Sequence, residues 1–382
     1  MKKESIKMAF LDSTRNINLS SPINQLGYGV TGLNISKALH DLKHSVSLFV
    51  IGNVEAPDEY HEDLKQMISN SRMPDWNAPS IRLWHQHDMA QFVGNGDKYG
   101  FPIFELDKFA DIELHHLGYL DYWLAPSEWA KSVLVDQLKV IHGEDEVKKR
   151  TSVVPLGVDR NIFRESVSHR KETVFFNAGK WEIRKGHDVL VQAFNEAFNE
   201  DDGVELWMMC DNPFYSEEEN FKWERTYRSS KLGEKVRVIP RQKTQEDVYS
   251  IMSQADCGVF PSRAEGWNLE LLEMMSCGKS VIATNYSAHT EFCNSENCML
   301  IETTEKEDAH DGKWFRGQGQ WAKIDKDEIT EVAKQMRKVH EQKKKDSLNI
   351  NQAGVDTAKK FSWENSAKKI LEAIEENDSH TK

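Results

Sequence analysis

Short apolar runs of strand length alternate along the chain with stretches in which apolar residues recur every three or four positions. The strand-type runs fall at 6–12, 44–51, 81–84, 101–104, 122–126 and 152–155, and then at 173–178, 204–209, 236–239, 257–260 and 280–284. Helical spacing occupies 33–42, 129–138, 187–198, 246–254 and 269–275. A last helix at 363–375 carries Ala367, Ile370, Leu371 and Ile374 on one face, so it should dock onto something. Strands alternating with helices predict βαβ units and parallel sheets. Eleven strands are too many for one compact doubly wound sheet in this length. The pattern therefore predicts an α/β chain of two Rossmann-like domains facing a cleft.

The break is expected in the polar, aperiodic stretch 163–170. This gives an N-terminal domain over 1–168, a second over 169–360, and a helix over 361–382 whose apolar face should dock onto one of them. The segment 303–319, with few aliphatics, reads as a surface loop, and the basic run at 343–345 as a solvated helix face.

The 382 residues exceed what a single core usually supports, in agreement with two domains. A net charge of −13 disfavours a nucleic-acid partner without excluding a local basic groove. Five scattered cysteines without a CxxC pair suit free thiols in a reducing compartment. Neither a signal-peptide pattern nor an 18-residue apolar run is evident, so a cytoplasmic location is expected, and peripheral membrane contact is compatible with it.

Two loops carry candidate chemistry. Strand 173–178 runs into Gly179-Lys180-Trp181-Glu182-Ile183-Arg184-Lys185-Gly186 ahead of a helix. Three cations at the carboxyl end of a parallel strand, before a helix N-terminus, point to phosphate binding. After strand 257–260 come Glu265 and, eight residues later, Glu273 in an apolar helix. At about 100° per residue, Glu273 shares a wedge with Glu270 and Ser276 and borders the packed face. A carboxylate there needs donors, either ligand hydroxyls or a core arginine; Glu265 either caps the helix or binds ligand. In the first half, Gly27 and Gly29 would let backbone approach a ligand, although the spacing is not a dinucleotide fingerprint. His85 and His87, two apart on a segment read as extended, share a side, which suits sugar binding or packing better than a metal site.

These motifs, in this order and spacing, resemble the retaining glycosyltransferases of family four, which have the GT-B fold. Gly179-Lys180 through Lys185-Gly186 is similar to that family's G-R-x4-K-G loop, and Pro261-Ser262 through Glu265-Gly266 to Glu273 to its P-S-x-x-E-G and E-x7-E signature. Val154 through Phe163, 284–291, Phe361-Ser362-Trp363-Glu364, Glu105-Leu106-Asp107 and Asp121 through Trp129 are similar to further family motifs. The resemblance implies transfer of a sugar from a UDP- or GDP-type nucleotide sugar to an acceptor hydroxyl with retention and without a metal. A cell-surface glycan is the expected acceptor, with a hydroxymethylated DNA base or a protein as alternatives. A sugar-nucleotide epimerase or a non-catalytic nucleotide-sugar-binding protein would share the fold.

Position by position, the resemblance implies that Lys180 and Lys185 neutralise the diphosphate, that Glu265 contacts the transferred sugar, and that Glu273 takes the ribose hydroxyls. Arg184, Gly27 and Gly29 would also meet the donor, as would the backbone from Gly266 through Trp267 and Asn268 to Leu269. His87 matches the family's cleft histidine, and His85, Glu105 and Asp107 would position the acceptor. No cofactor beyond the donor substrate is implied. The chain departs from the family at Lys180, where arginine is usual, and at Asn268-Leu269-Glu270.

Overall fold

The computed structural model describes residues 14–380. The described residues form two compact units, one holding 14–104, Lys108–Gly157 and 361–380, the other Glu105–Asp107 and Val158–Lys360.

The first unit is a parallel six-stranded sheet built from β1 (Asn16–Ile23), β2 (Ser45–Val54), β3 (Ser80–Leu83), β4 (Lys98–Phe101), β5 (Tyr122–Ala125) and β6 (Thr151–Val153), in the order β2-β1-β3-β4-β5-β6. The strand read at 6–12 lies outside the described residues. The strand β1 lacks an apolar run, yet seven of its eight residues are buried, Asn18, Ser20 and Ser21 among them. Their polar groups are only partly satisfied: Asn18 Nδ2 donates to the Asp75 carbonyl, 57 positions away, and Ser21 Oγ to that of Pro22, while Asn18 Oδ1 has no hydrogen-bond partner among the described residues.

Helix α1 (Gly27–Asp41) begins six residues before the expected start, so Gly27 and Gly29 lie in its first turn and not in a loop. A Cβ at Gly29 would stand 2.2 Å from Asn24 Oδ1, so this glycine serves close packing of the helix on the chain leaving β1. Helices α2 (His61–Asn70), α3 (Asp111–Leu117), α4 (Glu128–His142) and α5 (Glu144–Arg150) complete the layers.

The second unit has strands β7 (Thr173–Ala178), β8 (Val204–Met209), β9 (Val236–Val238), β10 (Cys257–Phe260), β11 (Ser280–Thr284) and β12 (Met299–Ile301) in the order β12-β11-β10-β7-β8-β9, again parallel. This is the doubly wound dinucleotide-fold order, and its direction reverses between β7 and β10. The bounds of β7, β8, β10 and β11 coincide with the sequence reading because each is a mainly apolar run, broken inside the strand only by Asn177 in β7 and Glu205 in β8. Helices α6 (His187–Ala197), α7 (Glu217–Arg228), α8 (Gln245–Met252), α9 (Leu269–Ser276), α10 (Lys326–Lys344) and α11 (Gln352–Lys360) flank the sheet. Leu190 and Phe194 of α6 and Val332, Met336 and Val339 of α10 share one core with Phe175 and Leu206.

Three expectations change. The segment read as a surface loop forms an antiparallel hairpin, β13 (Lys306–His310) with β14 (Arg316–Ala322). It is ordered because Ala309 and Trp321 are buried against Leu106 and Ala264. Lys343 is not solvated: its Nζ donates to Asp256 Oδ2 at 2.6 Å and to the Glu172 carbonyl. The second unit begins at Val158 and not after residue 168, because Ser276 Oγ donates to the Phe163 carbonyl and Ser166 N to that of Cys277.

Helix α12 (Trp363–His380) groups with the first unit, where Ala367, Ile370, Leu371 and Ile374 are buried and Ser366 Oγ donates to the Pro155 carbonyl. Gly157 is required there, since a Cβ would stand 2.3 Å from Trp363 N. The five cysteines are buried free thiols. No helix among the described residues is long and apolar enough to cross a membrane.

Candidate active site

In an open parallel sheet, ligands bind at the carboxyl ends of the strands where the order reverses. In the second unit that point lies between β7 and β10, and both candidate loops leave from it. The loop after β7 carries Gly179 through Gly186 into α6. Gly186 caps α6 with φ +72, and a Cβ there would stand 2.0 Å from the Pro261 carbonyl oxygen. The two loops are therefore in van der Waals contact at a position only glycine can occupy. Backbone and side chain then stitch them together: Arg263 N donates to the Arg184 carbonyl at 2.7 Å, and Arg263 Nη1 to that of Ile183. The Arg263 guanidinium also grips Asp188, in the first turn of α6, with two 2.8 Å bonds, and Nε reaches Glu307 of the hairpin.

Inside this frame lies a buried ionic cluster. Arg184 donates from Nε and Nη2 to Glu182 Oε2 and from Nη1 to Glu265 Oε2 and the Ala264 carbonyl. Lys185 Nζ donates to Glu265 Oε1 at 3.0 Å, and the Ser262 hydroxyl donates to the same oxygen. Lys180 Nζ pairs with Glu182 Oε1 at 3.1 Å and rests 5.1 Å from the centre of the Phe214 ring. Burial opposes ionisation of Glu265, but the Lys185 and Arg184 charges overcome it and hold the carboxyl far below the usual carboxylate range. Burial is likewise outweighed at Glu182, chiefly by Arg184 and Lys180. Both carboxyls are ionised.

The turn Ser287–Glu291 braces this loop from behind, with the Ser287 hydroxyl accepting from Glu265 N. Asn268 explains its own departure from the family pattern. It sits at φ +86 and ψ +78, where glycine is the easiest residue and asparagine the next. Its Oδ1 accepts from Leu271 N, capping α9, and its Nδ2 donates to His289 Nε2. Burial keeps His289 below its ordinary value and so neutral, consistent with Nδ1–H donating to the Thr284 carbonyl.

Glu273 differs from the other carboxylates. It lies on α9, 7% exposed, and among the described residues no side chain or backbone group donates to its carboxylate. Burial, reinforced by Glu270, pushes its carboxyl well above the ordinary range.

The remaining candidates lie as follows. Gly27, Gly29, His85 and His87 belong to the first unit, whose own order reverses between β1 and β3. His85 and His87 stand in the turn after β3 and not on an extended segment, yet their rings stack at 5.3 Å and 14°. The Tyr28 ring lies 4.6 Å from that of His85, and its hydroxyl bridges Ile103 N and O. Glu105 and Asp107 cluster with the second unit. Asp107 accepts from Lys306 Nζ and Gln320 N of the hairpin, both at 2.8 Å. Glu182, Arg263, Ser287 and His289 were missed by sequence reasoning. The alternation of Lys180, Glu182 and Arg184 is a signal for the first, whereas the others act only through tertiary neighbours. Among the described residues, no group of three or more His, Cys, Asp or Glu could hold a metal ion.

Two parallel six-stranded sheets flanked by helices make this a protein of the GT-B architecture, the fold of a large class of glycosyltransferases. Residues 171–311, which hold both candidate loops, match the family model described as "Glycosyl transferases group 1". An uncharacterized glycosyltransferase of Methanocaldococcus jannaschii is 24% identical over 235 residues, which are 61% of this chain and 56% of that protein. This chain thus spans little more than half the length of that relative. A glycosyltransferase from Rickettsia africae superposes with a TM-score of 0.67 at 14% identity, covering 96% of this chain and 99% of that one. HepE of Anabaena, solved with UDP and glucose and also with UDP-glucose, gives 0.66 at 14% identity, covering 94% of this chain and 99% of its own.

Proposed function

We propose that this protein is a retaining glycosyltransferase that moves a sugar from a nucleoside-diphosphate sugar to an acceptor hydroxyl, with a cell-surface glycan as the acceptor and a cytoplasmic site of action. The observation that carries the reading is Glu273, a nine-tenths buried carboxylate without a donor, on the helix that follows the loop in which Glu265 accepts from Arg184, Lys185 and Ser262. Such a group stays in an apolar helix only at a cost, and the two hydroxyls of a ribose would remove that cost. The nucleotide complexes of HepE agree with a nucleotide partner for this chain.

In this reading Lys180 and Lys185 face the diphosphate, and the N-terminus of α6 adds its dipole. Negative charge that builds on the leaving diphosphate meets cations already held in place, so stabilisation needs little reorganisation and no metal. Glu265, fixed by Lys185, Arg184 and Ser262, presents its remaining lone pairs to hydroxyls of the transferred sugar, beside the backbone N–H groups from Gly266 to Leu269.

Calorimetric titration with UDP and GDP tests the site. Glu273→Ala and Lys185→Ala should each weaken binding by roughly tenfold or more, the size of one or two charge-assisted hydrogen bonds. Unchanged affinity in both variants would remove the site assignment. NMR of the product decides the stereochemistry, since inversion at the anomeric carbon is incompatible with the reading, and full turnover in excess chelator is expected.

A further inference from the structure

Three carboxylates and three cations crowd the loop after β7: Glu105, Glu182 and Glu265 with Lys180, Arg184 and Lys185. Five of the six are engaged by short contacts within the cluster. Glu105 is the exception. Its nearest cation is Arg184 Nη2 at 3.8 Å, outside hydrogen-bond range, and that guanidinium is already committed to Glu182, Glu265 and a carbonyl. No hydrogen-bond donor reaches the Glu105 carboxylate among the described residues, and the side chain remains 29% exposed.

The position is nonetheless built. Leu106 packs in a small core with Ala264, Ala309 and Trp321, and Asp107 is held at both oxygens by Lys306 and Gln320. The excursion from 105 to 107 thus fixes one unspent carboxylate beside the cations assigned to the diphosphate. Its charged neighbours are Lys180, Glu182 and Arg184 on the loop after β7 and Glu265 on the loop after β10; Asp107, two residues away, is neutralised by Lys306.

We infer that Glu105 is the proton acceptor for the incoming acceptor hydroxyl, an inference that rests on the glycosyl-transfer reading above. The acceptor O–H hydrogen passes to a Glu105 oxygen as the acceptor oxygen's electron pair forms the new bond to the anomeric carbon. The bond from that carbon to the diphosphate oxygen breaks on the same face, its electron pair leaving with the diphosphate beside Lys180 and Lys185, so that the anomeric configuration is retained. Environment separates the three carboxyls by role, as acid and base groups in one site commonly are. Glu182 and Glu265 are locked ionised, whereas burial, with the like charges of Glu182 and Glu265, raises Glu105 above the ordinary carboxylate range and makes it the most basic of the three.

The test uses the full-length protein with UDP-glucose, GDP-mannose and ADP-glucose as donors and water as acceptor, because water too must lose a proton. Glu105→Gln, which is isosteric, should lower kcat roughly 100-fold or more while UDP affinity stays within threefold. It should also abolish the acidic limb of the kcat/KM profile. Formate should restore Glu105→Ala at least in part. A Glu105→Gln enzyme with kcat within threefold of the original would overturn the inference and leave the departing phosphate as the base. A parallel loss of UDP affinity and rate would overturn it too, reducing Glu105 to a binding group. If the unsubstituted protein turned over none of the donors, the transfer reading would fall and this inference with it.

Discussion

Arg184 and Glu265 lie 81 positions apart in the chain, and Nη1 of one donates to Oε2 of the other at 2.7 Å, with the side chains only 5% and 6% exposed. A buried pair of this kind contributes little against an apolar replacement of both partners, but removing one partner leaves a desolvated charge. Arg184→Ala removes the one cation that bridges Glu182 and Glu265, leaving Lys180 on the first and Lys185 on the second, and should cost about 3–5 kcal/mol in denaturant unfolding. Arg184→Lys should recover less than half of that, because an ammonium cannot span both carboxylates in one plane. A loss below about 1 kcal/mol would mean that the cluster is effectively solvated.

Glu273→Gln should have the opposite effect on the unliganded protein. The raised carboxyl means that the folded state holds the proton more tightly than the unfolded chain does, so stability falls as pH rises above the ordinary value of 4.5. A neutral amide removes that dependence, and should raise stability at pH 7 by about 1–2 kcal/mol while weakening nucleotide binding. A variant less stable than the parent would reveal a partner for this carboxylate.

At Asn268 conformation and capping separate cleanly. Asn268→Gly keeps the left-handed backbone and loses the bonds to Leu271 N and His289, whereas Asn268→Ala loses both bonds and adds backbone strain. The alanine variant should be the less stable of the two by about 1 kcal/mol. Paired thermal melts would show the order, and equal melting points would contradict the strain argument.

His187 supplies a pH signature. It is buried, Nε2 donating to Asn177 Oδ1 and Nδ1 accepting from Glu182 N, and desolvation lowers it from 6.5 to about 3. Between pH 6.5 and about 3 the unfolded chain therefore binds the extra proton, so this residue makes stability fall as pH drops through that window. The slope from a single group approaches about 1.4 kcal/mol per pH unit. His187→Gln should flatten the unfolding free energy between pH 6 and 4; an unchanged slope would assign the acid sensitivity to the carboxylates instead.

What the sequence revealed depended on how each element meets water. Strands β7, β8, β10 and β11 are mainly apolar and could be read to the residue. The strand β1 was hidden because Asn18, Ser20 and Ser21 are buried polar residues that interrupt any apolar run, and Asn18 finds its partner at Asp75, far along the chain. The hairpin was hidden because its buried residues, Ala309, Gly319, Trp321 and Ala322, are scattered among polar neighbours, and the long helix α10 because its charged face outweighs its apolar stripe. At the site, Lys180, Lys185 and Glu265 were readable as charges after strand ends, and Glu273 as a carboxylate in an apolar helix. That Arg184 would be saturated and Glu105 unspent depends on which carboxylates the folded loops bring to one guanidinium.

The reversal of strand order at β7 also sets when the site comes into being. The cations of the first loop are synthesised about 80 residues ahead of Glu265, and in that interval Arg184 and Lys185 lack this carboxylate partner. They acquire it only when β10 inserts beside β7, a long-range pairing of the kind that folds slowly. Cationic loop, cap and carboxylates are thus assembled in one late step. A lesion in the apolar run Cys257–Phe260 would abolish the whole constellation together, although every charged residue of the cluster would still be present.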